Sequence, residues 1–354
     1  MRKIILIFLT SMLFLTITNC NEKGIKNNST INTISQTSFF VANWNMENLF
    51  DTVDDPNKDD EWFTPSSQIN WNEEKLEHKL ANLARVIKYM NNGKGPDILG
   101  VEEIEHEELL TTLINKYIKK NSYDVAYAES PDKRGIDNGL IFNRELFDLS
   151  LVEPIRINLT DNKITRDILL VKLKNRKTNE DFYVFVNHWP SRRAGLKKSE
   201  KYRIKAAETL LDKVNEILGN DSLANIIILG DFNDLPSNNS VSKILNAKKI
   251  NCNAKNDGIL FNTAYKLFQK GQGTYKYKDH WNMLDQLIIS RSLLDKKNTD
   301  YKCNSFKIIK PSFMVTKTGK YKGTARPTFG GRKYIGGYSD HFPIGVEFYY
   351  NNGN

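Results

Sequence analysis

The segment that decides how the chain is interpreted is IIILGDFNDLP, residues 226–236. Its first half is a continuous apolar run rich in β-branched residues, which is typical of a strand in a sheet covered on both faces. The run ends at Gly230, and Asp231 and Asn233 follow at once. Gly, Asp, Asn and Pro also form ordinary turns. The segment therefore predicts a buried strand that ends either in a turn or in a functional site.

Four other apolar segments also end in, or run into, acids, amides or histidine. They are VANWNMEN, DILGVEEIE, FYVFVNHW and GGYSDHFPIGV. Five such strand ends favour one convergent site over five unrelated turns. The additional polar residues at these ends are Asn45, Glu47, Glu102, Glu103, Asn187, His188, Asp340 and His341.

The residue types at these strand ends restrict the chemistry. Carboxylate and amide oxygens suit Mg²⁺, Mn²⁺ or Ca²⁺ and do not suit a structural zinc. His188 and His341 could donate to a phosphate or transfer a proton near neutral pH. The sequence has no Ser or Cys nucleophile motif. The set therefore indicates attack by water, assisted by a metal ion.

The remaining sequence alternates strand-like segments with two long amphipathic helices. The first helix is predicted within residues 72–91, where apolar residues recur every three or four positions, and the second within residues 199–218. No internal repeat and no second linker interrupts the pattern. We therefore expect one large mixed α and β domain over residues 39–350.

The first 20 residues, MRKIILIFLTSMLFLTITNC, have the layout of an export signal. Two basic residues precede a short apolar run, and the run is followed by Cys20. This predicts a signal peptide over residues 1–19 and lipidation at Cys20, with a plain signal peptide or an uncleaved anchor as alternatives. Residues 20–38 are polar and predict a flexible tether. We expect an exported monomer anchored by lipid to a bacterial membrane, at the periplasm or the cell surface.

The chain is basic, with a formal net charge of +9 and a sequence pI of about 9.1. Such a balance suggests a polyanionic partner. Residues 317–333 combine Lys and Arg with Tyr and Phe and lead directly towards Asp340. This segment suits a nucleic-acid backbone, although a solvated Lys-rich loop is the alternative. Cys252 and Cys303 could form a disulfide or remain free thiols, and their spacing leaves both open.

Six motifs, taken in order along the chain, resemble the endonuclease/exonuclease/phosphatase superfamily. They are NWNMEN, DILGVEE, VNHWPSR, LGDFND, LDQLIIS and GYSDHFP. The superfamily includes deoxyribonuclease I, exonuclease III and the apurinic endonucleases, and ENLFD, NHWPSR and GGYSDH resemble its bacterial, often exported branch. The resemblance covers residues 39–350. It implies an α+β fold, the four-layer α/β/β/α sandwich in which two sheets pack face to face between helices.

The resemblance also implies a metal shell at the ends of the first two core strands. Glu103 corresponds to the principal Mg²⁺ ligand, and Asn45 and Glu47 correspond to further members of the shell. Asp340 corresponds to a residue linked to the metal or to its water. Glu102 stands where many members have Gln, and the resemblance leaves its role open.

The resemblance implies catalytic roles for five residues in the second half of the domain. Asp231 and Asn233 correspond to the pair that orients water and a phosphate oxygen. His341 corresponds to the catalytic histidine, with Asp285 as its orienting carboxylate. His188 corresponds to the phosphate-contacting histidine of the deoxyribonuclease I branch. The residue that acts as formal general base stays open.

Three arginines are candidates for binding substrate phosphates. Arg192 and Arg193 follow His188 closely, and Arg134 lies in KRGIDNG. Solvated loop charges are the alternative interpretation.

The predicted function is metal-dependent phosphodiester hydrolysis, by a nuclease that acts on DNA or RNA with little sequence specificity. The alternatives are a phosphatase or phospholipase-type esterase and a non-catalytic surface-binding lipoprotein. An esterase that attacks membranes would carry an exposed apolar hairpin, and none is evident in the sequence.

Overall fold

The computed structural model describes residues 38–119, 122–331 and 333–351. Both predicted long helices are present. The first begins after Asn72, whose side chain accepts the backbone N–H of Lys75 at 3.1 Å. The α-helices are α1 (Glu73–Tyr89), α2 (Glu107–Thr112), α3 (Leu196–Asn220) and α4 (Tyr265–Phe268). Short 3₁₀ or π-helical segments lie at Glu61–Phe63, Asn91–Gly93, Leu113–Ile118, Thr160–Asn162, Ser240–Ile244 and Arg291–Leu294.

The strands of the described residues belong to two large sheets and one small hairpin. In chain order they are β1 (Ser38–Leu49), β2 (Ile98–Ile104), β3 (Tyr123–Tyr127), β4 (Asp137–Asn143), β5 (Phe147–Ile155), β6 (Ile168–Asn175), β7 (Asp181–His188), β8 (Asn225–Asp231), β9 (Lys248–Lys249), β10 (Leu260–Asn262), β11 (Tyr275–Tyr277), β12 (His280–Asn282), β13 (Asp285–Ser290), β14 (Thr299–Tyr301), β15 (Lys307–Ile308) and β16 (Ile344–Tyr350).

The first sheet has the order β14-β16-β1-β2-β4-β3, with β15 also paired to β16, and the second has the order β5-β6-β7-β8-β13-β10-β9. Their inner faces share one apolar core, in which Val41 and Ile98 of the first sheet belong with Val184 and Leu229 of the second. On the outer faces, α1 packs on the first sheet and α3 on the second. The predicted four-layer sandwich is confirmed.

The pairing of the central strands brings the polar strand ends to one edge of the sandwich. β1 and β2 are parallel, with Asn45 opposite Glu102. β7 and β8 are also parallel, with His188 opposite Asp231, and β13 runs antiparallel so that Asp285 is also opposite Asp231. The strands of both sheets place these residues at the same edge. The convergence of the polar residues therefore follows from the sheet topology.

Three features of the structure go beyond the sequence-based expectation. β1 is a strand of 12 residues that is buried over most of its length. The edge strand β5 has no sequence prediction because its side chains are mostly exposed or half-buried and it contains Pro154. Cys252 and Cys303 form a disulfide, with their Cα atoms 5.9 Å apart, which decides between the two alternatives.

The predictions for residues 1–37, including lipidation at Cys20, lie outside the described residues, as does Arg332 of the basic segment. Within the described part of the chain, no helix is long and apolar enough to cross a membrane.

Candidate active site

Strand β8 ends in both a turn and a cluster of functional groups. Gly230 has φ +145°, and a Cβ atom there would lie 1.9 Å from the carbonyl oxygen of Asn187. Only glycine allows β8 to approach β7 this closely. Asn233, with φ 48°, turns the chain back, and its backbone N–H donates to Asp231 Oδ1 at 2.8 Å. The side-chain amide of Asn233 donates to the carbonyl oxygen of Trp189 at 3.0 Å.

Residues from β1 and β2 complete the same cluster from the first sheet. Asn45 Nδ2 donates to Asp231 Oδ2 at 3.3 Å, which joins the two sheets directly. Glu103 Oε2 accepts the backbone N–H of Asn48 at 2.9 Å, and Glu103 Oε1 lies 3.9 Å from His188 Nε2. Glu103 and Asn48 have φ of 62° and 54°, a region that non-glycine residues rarely occupy. Such conformations concentrate at functional sites.

Two histidines flank Asp231 and differ in charge. His188 Nε2 lies 3.6 Å, and His341 Nε2 3.9 Å, from Asp231 Oδ2. Burial, reinforced by the charge of Arg166, holds the pKa of His188 well below its usual value, so this imidazole is neutral. Burial also disfavours the charged form of His341, but the carboxylates of Asp285 and Asp231 outweigh it and raise the pKa of His341 well above 6.5. One neutral and one cationic imidazole thus face the same carboxylate.

The carboxylates of this cluster fit a divalent cation. Burial, opposed by the positive charge of His341 and reinforced by the negative charges of Asp285 and Glu103, raises the pKa of Asp231 to about 6. Burial also raises the pKa of Asp340, and the charge of Glu103 contributes. The mutual repulsion of these oxygens is relieved when a cation lies between them, and carboxylate and amide oxygens are the ligands that Mg²⁺ and Mn²⁺ prefer.

Glu47 differs from the other members of the predicted metal shell. Its carboxylate accepts the backbone N–H of Thr328 at 2.6 Å and of Phe329 at 3.2 Å. The fully buried Lys79 donates to Thr328 Oγ1 at 2.7 Å and to the carbonyl oxygens of Met46 and Glu47 at 2.8 Å. Glu47 therefore ties the end of β1 to the loop of the basic segment, and we assign it to holding that loop.

The three predicted phosphate-binding arginines have different environments. Arg192 is turned inward and donates to Asn233, Asp234, Asn238 and Asn282, so its main role is to hold the loop after β8. Arg134 donates to the side chain of Asn48 and borders the cavity. Arg193 is exposed at the cavity and has no ion pair or hydrogen bond among the described residues, which leaves its guanidinium free for a ligand.

Two side chains at the site have no counterpart in the sequence-based prediction. The buried Arg166 donates to the carbonyl oxygens of His188, at 2.8 Å, and Trp189, at 2.9 Å. Tyr275 of the hairpin β11–β12 stacks on His341, with their ring centroids 4.8 Å apart. Neither residue lies at the end of a strongly apolar strand, which is the signal that identified the others.

The cluster opens into a cavity that continues as a groove. The cavity has a volume of about 540 Å³ and contains Glu103, Asp231 and His341 in its wall. Tyr275 and Asp340 line both this cavity and a neighbouring groove of about 1110 Å³. Residues of the basic and aromatic segment line the groove, among them Lys317, Tyr321, Arg326 and Phe329.

A second group of potential metal ligands lies beyond the ends of β1 and β2. Asp51, Glu105 and His106 each offer a ligand atom within 4.8 Å of the others. His106 Nε2 lies 3.1 Å from Asp51 Oδ2, and the hydrogen bond to Asp51 raises the pKa of His106. His106 thus competes with a cation for Asp51, whereas Asn45, Glu103, Asp231 and Asp340 surround one cavity, so the Asp231 cluster is the stronger candidate for a cation.

Comparison with known proteins agrees with this fold. Residues 40–349 match the Endonuclease/Exonuclease/phosphatase family, and no curated protein sequence matches the chain. The chain belongs to this family, whose members are typically metal-dependent hydrolases.

Several solved structures are similar over most of the chain. The catalytic domain of human Nocturnin with bound sulfate is 18% identical, with a TM-score of 0.52 over 88% of this chain and 94% of that one. A mannosyl-6-phosphatase of Bacteroides thetaiotaomicron is 18% identical, with a TM-score of 0.56 over 88% and 99%. D. rerio TDP2 complexed with single strand DNA product is 16% identical, with a TM-score of 0.52 over 88% and 99%. At these identities the likeness concerns the fold.

Proposed function

We propose that the protein is a divalent-metal-dependent phosphodiesterase that cleaves DNA or RNA with little sequence preference. The observation that carries the proposal is the continuity between the cavity around Asp231 and the groove beyond Tyr275 and Asp340. A groove of this size, lined by exposed cations and aromatic rings, suits a polymer with a charged backbone and stacking bases. The side chains that line the groove form no base-reading motif, so phosphate contacts would position the chain without selecting a sequence.

The residues of the cluster have properties that suit in-line hydrolysis. A divalent cation held by Glu103, Asp340 and Asn45 would neutralise charge on the phosphate. Asp231, with a pKa of about 6, is ionised at neutral pH and can align the attacking water or accept its proton. The cationic His341, held by Asp285, can stabilise negative charge on the phosphate oxygens.

Hydrolysis of a small phosphomonoester is the second candidate function. The cavity of about 540 Å³ is bordered by Arg134, Arg166 and Arg193, an arrangement that also suits a terminal phosphate. One of the similar structures is a mannosyl-6-phosphatase.

A substrate panel separates the two functions. The purified protein, supplied with Mg²⁺ or Mn²⁺, is offered duplex DNA, single-stranded DNA, RNA, mannose 6-phosphate, a phospholipid and bis-p-nitrophenyl phosphate. We expect cleavage of at least one nucleic acid and of the small diester, and loss of both in excess chelator. If the nucleic acids stay intact and phosphate is released rapidly from a monoester, the protein is a phosphatase and the proposed nuclease activity is wrong.

We also propose that the protein is exported and anchored by lipid at Cys20, on the basis of the apolar segment and the polar residues that follow it. Fractionation of cells that express the parent and Cys20→Ala tests this. We expect the parent in the membrane fraction and the variant released; equal membrane association of both proteins would contradict lipidation.

A further inference from the structure

A second basic surface lies away from the candidate active site. Two depressions, of about 250 and 860 Å³, share Ile250, Cys252 and Tyr301 and so form one concave surface next to the disulfide. We call its cationic lining the distal basic patch; its exposed members are Lys249, Lys255, Lys266, Lys270, Arg291, Lys296 and Lys297.

The charge of the distal basic patch is largely uncompensated. Within the described residues, Lys297 is the one member with an ion pair, a 4.0 Å approach to Asp295. Lys249 and Lys266 donate to the neutral side chains of Gln269 and Asn304. The carboxylate of Asp300 is buried and accepts the backbone N–H of Lys296. A cluster of cations that the fold does not neutralise indicates an external anionic partner.

The patch lies at the edge of the sandwich opposite to the candidate site. Strand β13 begins with Asp285 at the site and ends with Ser290, directly before Arg291 of the patch. Strand β1 runs the other way, from Ser38 to the site. Ser38 pairs with Tyr349, which lines the same depression as the patch. At about 3.3 Å per residue, the seven steps from Ser38 to Asn45 separate the two edges by roughly 23 Å.

Exposed aliphatic side chains accompany these cations. Leu223 and Ile259 are each 56% exposed. Leu223 lines the larger depression, and the carbonyl oxygen of Ile259 accepts the backbone N–H of Arg291. Cations attract anionic headgroups, and neighbouring aliphatic side chains can enter the boundary between headgroups and acyl chains. This combination is typical of a surface that meets lipid.

We propose that the distal basic patch rests on an anionic phospholipid surface, so that the active site faces away from the membrane. This inference rests on the proposed lipid anchor and not on the proposed nuclease activity. About 18 residues separate Cys20 from Ser38, and Ser38, where the described chain begins, lies at the edge that contains the patch. An anchor at Cys20 would therefore hold the edge that contains Ser38, and the patch beside it, close to the bilayer.

Lysine footprinting on vesicles tests the orientation. The full-length protein is bound to vesicles of phosphatidylethanolamine with phosphatidylglycerol, or of phosphatidylcholine alone, and acetylated briefly. On the anionic vesicles we expect acetylation of Lys255, Lys296 and Lys297 to fall at least threefold, whereas lysines of the basic segment, such as Lys317 and Lys320, react equally on both. Equal reactivity of the patch lysines on the two lipids would overturn the proposal.

A charge-reversal pair supplies the matched control. The triple variant Lys255→Glu, Lys296→Glu, Lys297→Glu should lose the protection of Lys249 and Lys266, while Lys317→Glu, Lys320→Glu, Lys322→Glu should keep it. The variant of the distal basic patch should retain hydrolysis of bis-p-nitrophenyl phosphate.

Two further measurements test the lipid anchor and a nucleic-acid partner separately. If the parent protein does not float with phosphatidylcholine vesicles, the proposed lipid anchor is wrong. The lysine footprint on anionic vesicles would then still test the distal basic patch. Protection of the patch lysines by single-stranded DNA without vesicles would assign this surface to nucleic acid instead.

Discussion

His341 Nδ1 lies 2.8 Å from Asp285 Oδ2, and both side chains are buried. This hydrogen bond directs the other ring nitrogen of His341 towards Asp231, 3.9 Å away. The negative charge of Asp285 also helps to hold His341 in its protonated form. The orientation of the imidazole, and part of the stabilisation of its positive charge, therefore depend on one carboxylate of the other sheet.

Asp285→Asn should lower turnover by about 10²- to 10⁴-fold, the usual contribution of a positioned acid or base. Because the charge of Asp285 raises the pKa of His341, its loss should move the alkaline limb of the pH–rate profile to lower pH. Steady-state rates over a pH series check this. Asp300→Asn, at a buried carboxylate of the opposite edge, should leave the profile unchanged. An unaltered limb in Asp285→Asn would contradict the proposed role of the pair.

Substitution of two glutamates near the end of β2 distinguishes the two possible cation sites. Glu103 lines the cavity around Asp231, whereas Glu105 belongs to the group with Asp51 and His106. Glu103→Gln should raise the Mg²⁺ or Mn²⁺ concentration for half-maximal activity at least tenfold, because a carboxylate ligand is lost. Glu105→Gln should leave it within about twofold. Metal titrations of both variants measure these concentrations. A larger increase in Glu105→Gln than in Glu103→Gln would assign the catalytic cation to the group of Asp51, Glu105 and His106.

Substitution of Arg192 should mainly affect stability, whereas substitution of its neighbour Arg193 should mainly affect substrate binding. Arg192→Ala removes donors to Asn233 and Asp234 and should lower the free energy of unfolding by about 2 kcal/mol. Arg193→Ala should change stability by less than about 0.5 kcal/mol and raise KM several-fold, since its side chain is exposed at the cavity. Urea denaturation and steady-state kinetics measure both. Strong destabilisation by Arg193→Ala would be inconsistent with its free guanidinium.

Glu102→Gln should stabilise the protein above about pH 5. Glu102 is fully buried, and neither carboxylate oxygen has a hydrogen-bond partner among the described residues. Burial, with the charges of Asp285 and Asp231, raises the pKa of Glu102 well above 4.5. The folded state therefore keeps a proton that the unfolded state releases, and stability falls as the pH rises above the unfolded value.

Glutamine does not titrate, so the Glu102→Gln variant does not lose stability in this way as the pH rises. The difference in the free energy of unfolding between the variant and the parent should therefore grow from pH 4 to pH 8. Denaturation at several pH values measures it. A difference that does not depend on pH would show that Glu102 is ionised in the fold.

The lysines of the basic segment should determine the salt dependence of nucleic-acid binding. Replacing Lys317, Lys320 and Lys322 by Gln should flatten the log–log dependence of affinity on salt by up to about 0.9 per lost phosphate contact on duplex DNA. Gln at Lys255, Lys296 and Lys297 of the distal basic patch should leave the slope unchanged. Binding titrations from 50 to 200 mM salt suffice. An equal change of slope in the two triple variants would show that nucleic acid does not bind preferentially along the basic segment.

The sequence predicts the fold and most of the site because both depend on strand ends. Asp231 and His188 follow apolar runs, and parallel pairing places such ends at one edge. Tyr275 could not be predicted in this way, because it reaches His341 through a short hairpin that packs by tertiary contacts. Arg192 looks like a free cation in sequence, but its partners are brought to it by the loop after β8.

The pairing of β1 with β16 makes assembly of the first sheet depend on synthesis of the chain through Tyr350. Six consecutive residue pairs, from Ser38–Tyr349 to Asn43–Ile344, join the first strand of the first sheet to the last. Asp340 and His341 lie just before β16, so a chain still on the ribosome has neither the partner of β1 nor these two site residues. A nascent chain that lacks β16 therefore has an incomplete first sheet and an incomplete candidate site.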